Sequence, residues 1–115
     1  MADICYHVVN GPRKPPRERF YEYWLDPSDP WEQPSNYVGS LERSRVLQEL
    51  LAPRVAPADE ILEVGCGAGA NLSYLDKQGY ETLSGIELNP EMLNRFETHH
   101  PETYRKADIR EGTIE

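Results

Sequence analysis

A carboxylate and three glycines at alternate positions, Glu63, Gly65, Gly67 and Gly69, stand in the run EILEVGCGAGAN, and a second carboxylate, Glu87, closes the run TLSGIE. Glycines at a turn from strand into helix remove every Cβ that would hold a ligand off the backbone, and they expose amide hydrogens at a helix N-terminus. That much describes a nucleotide-like ligand. Gly65, Gly67 and Ala70 also satisfy the G-x-G-x-x-G/A fingerprint of dinucleotide-binding turns, with Glu87 at the required distance of about 20 residues. Glu63 separates the two readings. A carboxylate aimed into the mouth of the site opposes a pyrophosphate and favours a cation or an amine, so the ligand expected here carries positive charge. Cys66, between two glycines of the same loop, is counted with Glu63, Gly65, Gly67 and Gly69 among the lining positions.

The elements that must position these residues follow from apolar spacing. Ile61, Leu62 and Val64 form the short apolar run expected of a parallel strand covered on both faces, ending at the glycines. A helix over 70–78 comes next, with Leu72 and Leu75 inward and Gly79 as its C-terminal cap. TLSGIE is a second strand ending at Glu87; Asn89 then caps a helix that Pro90 opens and that runs through Met92, Leu93 and Phe96. TYRKAD reads as a third strand ending at Asp108. Upstream, Phe20, Tyr21, Trp24 and Leu25 fall at helical spacing within 17–25, between Pro16 and Pro27. LDPSDPWEQPSNYVGS is a proline-punctuated loop. Ser40 caps a further helix whose apolar positions Val46, Leu47, Leu50 and Leu51 repeat until Pro53. Composition changes near Pro57, dividing an N-terminal helical and loop segment, 1–57, from a cofactor-binding unit, 58–115.

A chain of 115 residues is one domain at most, and small for an enzyme of the doubly wound class. Twenty acidic residues against twelve basic ones, a formal charge of −8, disfavour indiscriminate attraction to nucleic acid or anionic lipid. The expected partner is a small molecule or a protein. Two cysteines, Cys5 and Cys66, with neither a signal segment nor an apolar run long enough to cross a bilayer, give the expectation of a soluble cytoplasmic chain.

S-adenosylmethionine fits the charge argument, because it carries a sulfonium and an ammonium and no phosphate; Glu87 can then accept both ribose hydroxyls. At these residues the sequence resembles the class I S-adenosylmethionine-dependent methyltransferases. The resemblance rests on LEVGCGAG with its E-x-G-x-G-x-G, on GIELNPEML and on KADI, and it covers residues 60–109. It implies an α/β fold, a Rossmann-like parallel sheet with flanking helices, preceded here by N-terminal helices. Carried over residue by residue, Glu63, Gly65, Gly67 and Gly69 would line the methionine and ribose side of the cofactor. Glu87 would hold the ribose hydroxyls, Leu88 would pack on the adenine, and Asp108 with Ile109 would meet the adenine edge. The family has a seven-stranded sheet whose first strand is central. A chain truncated after the third strand would leave that first strand's far edge unpaired, an aggregation hazard and a route to association.

Methyl transfer is an in-line displacement, so a dry, aligned site suffices for much of the rate. No catalytic base is assigned; Tyr21, Tyr37, Arg43 and His7 precede the core and form a candidate lid. SDPW, residues 28–31, imitates an amino-methyltransferase signature but sits in the proline loop, which argues for a structural role. Cys66 lies at a helix N-terminus, which lowers a thiol pKa. His99 and His100, adjacent on a helix, point about 100° apart and make a poor metal pair; no metal site is expected. Arg13, Lys14, Arg17 and Arg19 read as a solvated face. Three function classes remain: methyl transfer to an unidentified small-molecule or protein acceptor, a non-catalytic S-adenosylmethionine-binding or interaction module, and an NAD(P)-dependent oxidoreductase.

Overall fold

The computed structural model describes residues 16–35 and 39–114. Helix α1 (Pro16–Leu25) is followed by a 3-10 turn (Pro30–Glu32), helix α2 (Leu41–Leu51), strand β1 (Glu60–Val64), helix α3 (Ala70–Lys77), strand β2 (Thr82–Glu87), helices α4 (Pro90–His99) and α5 (Pro101–Lys106), and strand β3 (Asp108–Glu111). The fold is α/β: a three-stranded parallel sheet in the order β1-β2-β3, with helices packed against it and N-terminal helices ahead of it.

The expected helix starts hold. Ser40 Oγ accepts from the Arg43 amide at 3.1 Å; Asn89 Oδ1 accepts from the Glu91 amide at 2.9 Å, with Pro90 in the first turn. Gly79, at φ +96°, follows the last residues of α3 in the left-handed region that favours glycine. The reading of the third strand fails. Thr103, Tyr104, Arg105 and Lys106 are helical rather than extended, so Asp108 begins the third strand instead of ending it. Pro101 at the first helical position starts α5, and Thr103 Oγ1 and Lys106 Nζ each reach the Asp76 carboxylate at 2.7 Å, fastening the short helix to α3.

The core lies on one side of the sheet. Leu72 and Leu75 from α3, Leu93 and Phe96 from α4, Leu83 and Tyr80 form its buried cluster, with Ile61, Ile109 and Tyr104 against it. Ile61 pairs with Leu83, and Gly85 with Ile109, so these rows face the helices. Gly85 has no room for a side chain: a Cβ there would meet Cys66 Sγ at 2.8 Å and Leu72 Cδ1 at 2.9 Å. Its hydrogen lets the glycine loop and α3 settle directly onto β2.

On the opposite rows, Leu62 with Ser84 and Val64 with Ile86, no helix among the described residues closes over the sheet, and Leu62 and Val64 are 54% and 58% exposed. The strand expected to be covered on both faces is therefore covered on one, and β1 is an edge. The α2 stripe is likewise split. Val46 and Leu50 face solvent, while Ser44 is buried and Leu47 and Leu51 are half-buried on the side that packs on α3.

Phe96 is the largest fully buried side chain in this core. Phe96→Ala is expected to cost about 3–5 kcal/mol, read as a lowered midpoint in denaturant unfolding followed by circular dichroism.

Candidate functional site

The chain turns from β1 into α3 through a loop with Gly65, Gly67 and Gly69 at φ +79°, +57° and +82°. Three left-handed positions in five residues explain the alternation of glycines, since a Cβ strains each one. Gly69 has a second reason: a Cβ on it would strike the Phe96 ring at 2.5 Å. Gly65 has nothing within 4 Å of that position, so its surface is open to a ligand. The loop is tied to the sheet by the Gly65 and Cys66 amides, which donate to the Ile86 carbonyl at 2.8 and 3.1 Å.

Glu87, at the end of β2, is held by two backbone amides. Gly67 N–H donates to Oε1 at 2.8 Å and Asn89 N–H to Oε2 at 2.9 Å. Each oxygen keeps a second lone pair for an incoming hydroxyl. Asn89, itself buried, donates from Nδ2 to the Trp24 carbonyl at 2.9 Å, which fixes the end of α1 beside the strand ends. A crevice of about 430 Å³ results, with Phe20, Tyr21 and Trp24 on one wall and Val64, Gly65, Gly67, Ile86, Glu87, Leu88 and Met92 on the other. Glu32, Gly112, Thr113 and Ile114 complete it.

Glu63 lines a smaller polar recess of about 190 Å³ with Ser40, Arg43, Gly65, Cys66, Ala70 and Asn71. Its Oε2 accepts from Asn71 Nδ2 at 2.7 Å, and Asn71 Oδ1 accepts from Ser44 Oγ at 2.7 Å. Oε1 is buried with no hydrogen-bond partner. Burial raises the Glu63 pKa above its ordinary value; the Asn71 bond works against this and the Glu87 carboxylate adds to it. An orphaned carboxylate oxygen beside an open glycine loop is completed by a cation or a donor-rich group.

The structure thus brings Glu63, Gly65, Gly67, Glu87 and Leu88 together around the end of β1 and β2. It does not bring Asp108 and Ile109 there. Asp108 pairs with Ser84 at the far end of the sheet and is hydrogen-bonded by Arg110 at 3.2 Å, while Ile109 packs into the core. The residues at the crevice are those that follow β3: Gly112, whose amide donates to the Glu87 carbonyl at 2.9 Å, and Thr113 with Ile114. Gly112, at φ +138°, was the available sequence signal that the strand ends there.

Gly69 serves packing against Phe96. Cys66 is a core residue at its sulfur, 5% exposed, and burial pushes the thiol up to about 12, with Glu63 and Glu87 adding to the rise. The helix N-terminus does not lower it. In SDPW, Asp29 caps the 3-10 turn through Trp31 N–H at 2.9 Å, a structural role. Tyr21 lines the crevice and Arg43 the recess; His7, Tyr37, Arg13 and Lys14 lie outside the described residues. Among the described residues no cluster of His, Cys, Asp and Glu is placed to hold a metal, and no helix is long and apolar enough to cross a membrane.

A family model described as a methyltransferase domain matches residues 61–115. No curated protein matches the sequence. Among solved structures, the magnesium protoporphyrin IX methyltransferase of Synechocystis PCC 6803 with bound SAM is similar at a TM-score of 0.60 and 10% identity, over 87% of this chain and 55% of that one. A glycopeptide N-methyltransferase complexed with sinefungin is similar at 0.54 and 16% identity, over 89% and 42%. The methyltransferase domain of bacterial CtHen1 is similar at 0.51 and 19% identity, over 63% and 40%. The chain thus spans between two fifths and just over half of these structures, and the likeness is one of fold.

The raised pKa of Glu63 has a definite sign. The folded state holds its proton to higher pH than the unfolded state, so its contribution to stability is greatest below the unfolded pKa and is lost as pH rises through the folded one. Glu63→Gln is therefore expected to raise the melting temperature of the free chain at pH 7.5, with the gain shrinking toward pH 4, as followed by thermal melts across that range.

Proposed function

We propose, from the match of residues 61–115 to a methyltransferase-domain family model, that this chain binds S-adenosylmethionine and serves methyl transfer to a small-molecule or protein acceptor. The observation that carries the reading is Glu63 Oε1, buried and unpartnered beside the glycine loop. A pyrophosphate there would meet a carboxylate, which disfavours the NAD(P)-dependent alternative; a sulfonium or ammonium would complete it.

The residues present fit the cofactor. Glu63 on one side of the small recess and Arg43 on the other suit the ammonium and carboxylate of a methionine group. Glu87, fixed by the Gly67 and Asn89 amides, suits a ribose diol, and Leu88, Met92, Thr113 and Ile114 offer the adenine a largely apolar seat. When bound, S-adenosylmethionine supplies a methyl group on a positively charged sulfur. The chain's own part is to orient that group and to keep water from it, with Phe20, Tyr21 and Trp24 as the covering wall. In this reading residues 1–57 are the lid and 58–115 the cofactor unit, in a cytoplasmic, reducing setting where Cys66 stays free. The bare sheet face at Leu62 and Val64 supports a second reading, a binding module that acts only in association with another surface.

Calorimetric titration with S-adenosylmethionine, S-adenosylhomocysteine and NAD tests the assignment. Both adenosyl ligands are expected to bind and NAD not to; binding of NAD alone would overturn it. Glu87→Ala is expected to weaken both adenosyl ligands by about tenfold to a hundredfold, the worth of charge-assisted hydrogen bonds to one carboxylate. Glu63→Gln should weaken S-adenosylmethionine more than its uncharged-sulfur product.

A further inference from the structure

The crevice that holds Glu87 has a second carboxylate in its lining, Glu32, on the 3-10 turn that follows α1. Its place there is built by several bonds. Asp29 caps the turn, and the Glu32 amide donates to the Asp29 carbonyl at 3.0 Å. The Tyr23 hydroxyl donates to Glu32 Oε1 and accepts from the Asp29 amide at 3.4 Å. The bond to Glu32 is the first cause that raises the Tyr23 pKa above its ordinary value, so the phenol stays protonated and keeps donating.

The same bonds fix which end of the crevice Glu32 serves. The Tyr23 ring meets Trp24 edge to face, with centroids 5.2 Å apart, and the Trp24 carbonyl accepts from Asn89 Nδ2 at 2.9 Å. Asn89 directly follows Leu88, so α1 and the turn behind it are fastened at the Leu88 end. A base whose ribose is gripped by Glu87 lies at that end. Asp108, expected from the sequence at the base edge, pairs with Ser84 at the far end of the sheet, and Glu32 puts a carboxylate into the crevice from another element. A carboxylate only accepts hydrogen bonds. At a purine edge it is matched by an exocyclic amine, which donates, and opposed by an exocyclic carbonyl, whose oxygen would face it with lone pairs.

We propose, resting on the S-adenosylmethionine reading, that Glu32 accepts a hydrogen bond from the exocyclic amine of the adenine and so selects adenine over hypoxanthine. Tyr23 is the residue that positions it.

The test is calorimetric titration of the whole chain with S-adenosylhomocysteine and with its deaminated counterpart, S-inosylhomocysteine. The native chain is expected to favour the adenine form by about tenfold to a hundredfold, the worth of one charge-assisted hydrogen bond. Glu32→Gln keeps the shape and still accepts from Tyr23, but its amide can turn an N–H toward a carbonyl, so the two ligands are expected to bind almost equally. Tyr23→Phe leaves the carboxylate in place without its anchor and is expected to lower the preference severalfold, a change in selectivity that a purely structural bond would not produce. Equal binding of both ligands by the native chain, or an unchanged preference in Glu32→Gln with a native circular dichroism spectrum, would overturn this proposal and leave the cofactor reading standing. Failure of S-adenosylhomocysteine to bind at all would overturn both.

Discussion

Two backbone amides on the Glu87 carboxylate hold together the parts of this molecule that frame its crevice. One bond runs to Gly67 in the loop after β1, the other to Asn89 at the head of α4. Asn89 in turn caps α4 and grips the end of α1 through the Trp24 carbonyl. A single acid thus fixes a loop, a helix start and the wall of a crevice. Because amide donors hold the carboxylate before any ligand arrives, little reordering is left for a ligand to drive.

Glu63 is the counterweight. Where Glu87 is satisfied by the fold, Glu63 has one oxygen bonded by Asn71 and the other left bare in a buried setting. The two carboxylates approach each other closely enough that Glu87 raises the pKa of Glu63. The fold therefore keeps one acid comfortable and one waiting, and a positively charged ligand relieves the second without disturbing the first.

Much of this was legible in the sequence because it rests on local rules. Alternating glycines, Asn89 ahead of Pro90, and Gly79 after α3 each answer a backbone requirement, and each was read at the right position. The readings that failed needed distant contacts. TYRKAD carries β-favouring Thr and Tyr, yet Thr103 and Lys106 spend their polar groups on Asp76, some 30 residues earlier in the chain. Ending the strand at Asp108 then hid the place of Thr113 and Ile114 in the crevice lining. The Cys66 thiol followed the same logic: its place at a helix start was visible, its burial under Gly85 was not, and burial governs. Val46 and Leu50 shared the helical spacing of Leu47 and Leu51, but one helix on one neighbour covers only part of such a stripe.

Gly85 sits beneath all of this, in mid-strand, with the Cys66 sulfur and a Leu72 methyl resting where its side chain would be. It touches no proposed ligand, yet it sets the height of the floor on which the glycine loop lies. A methyl group at that position would lift Cys66, and with it Gly65 and Gly67, away from the end of β2, to which all three are hydrogen-bonded. The distance between Gly67 and Glu87 is in this sense adjusted from below, so the shape of the crevice is open to tuning by a residue that does not line it.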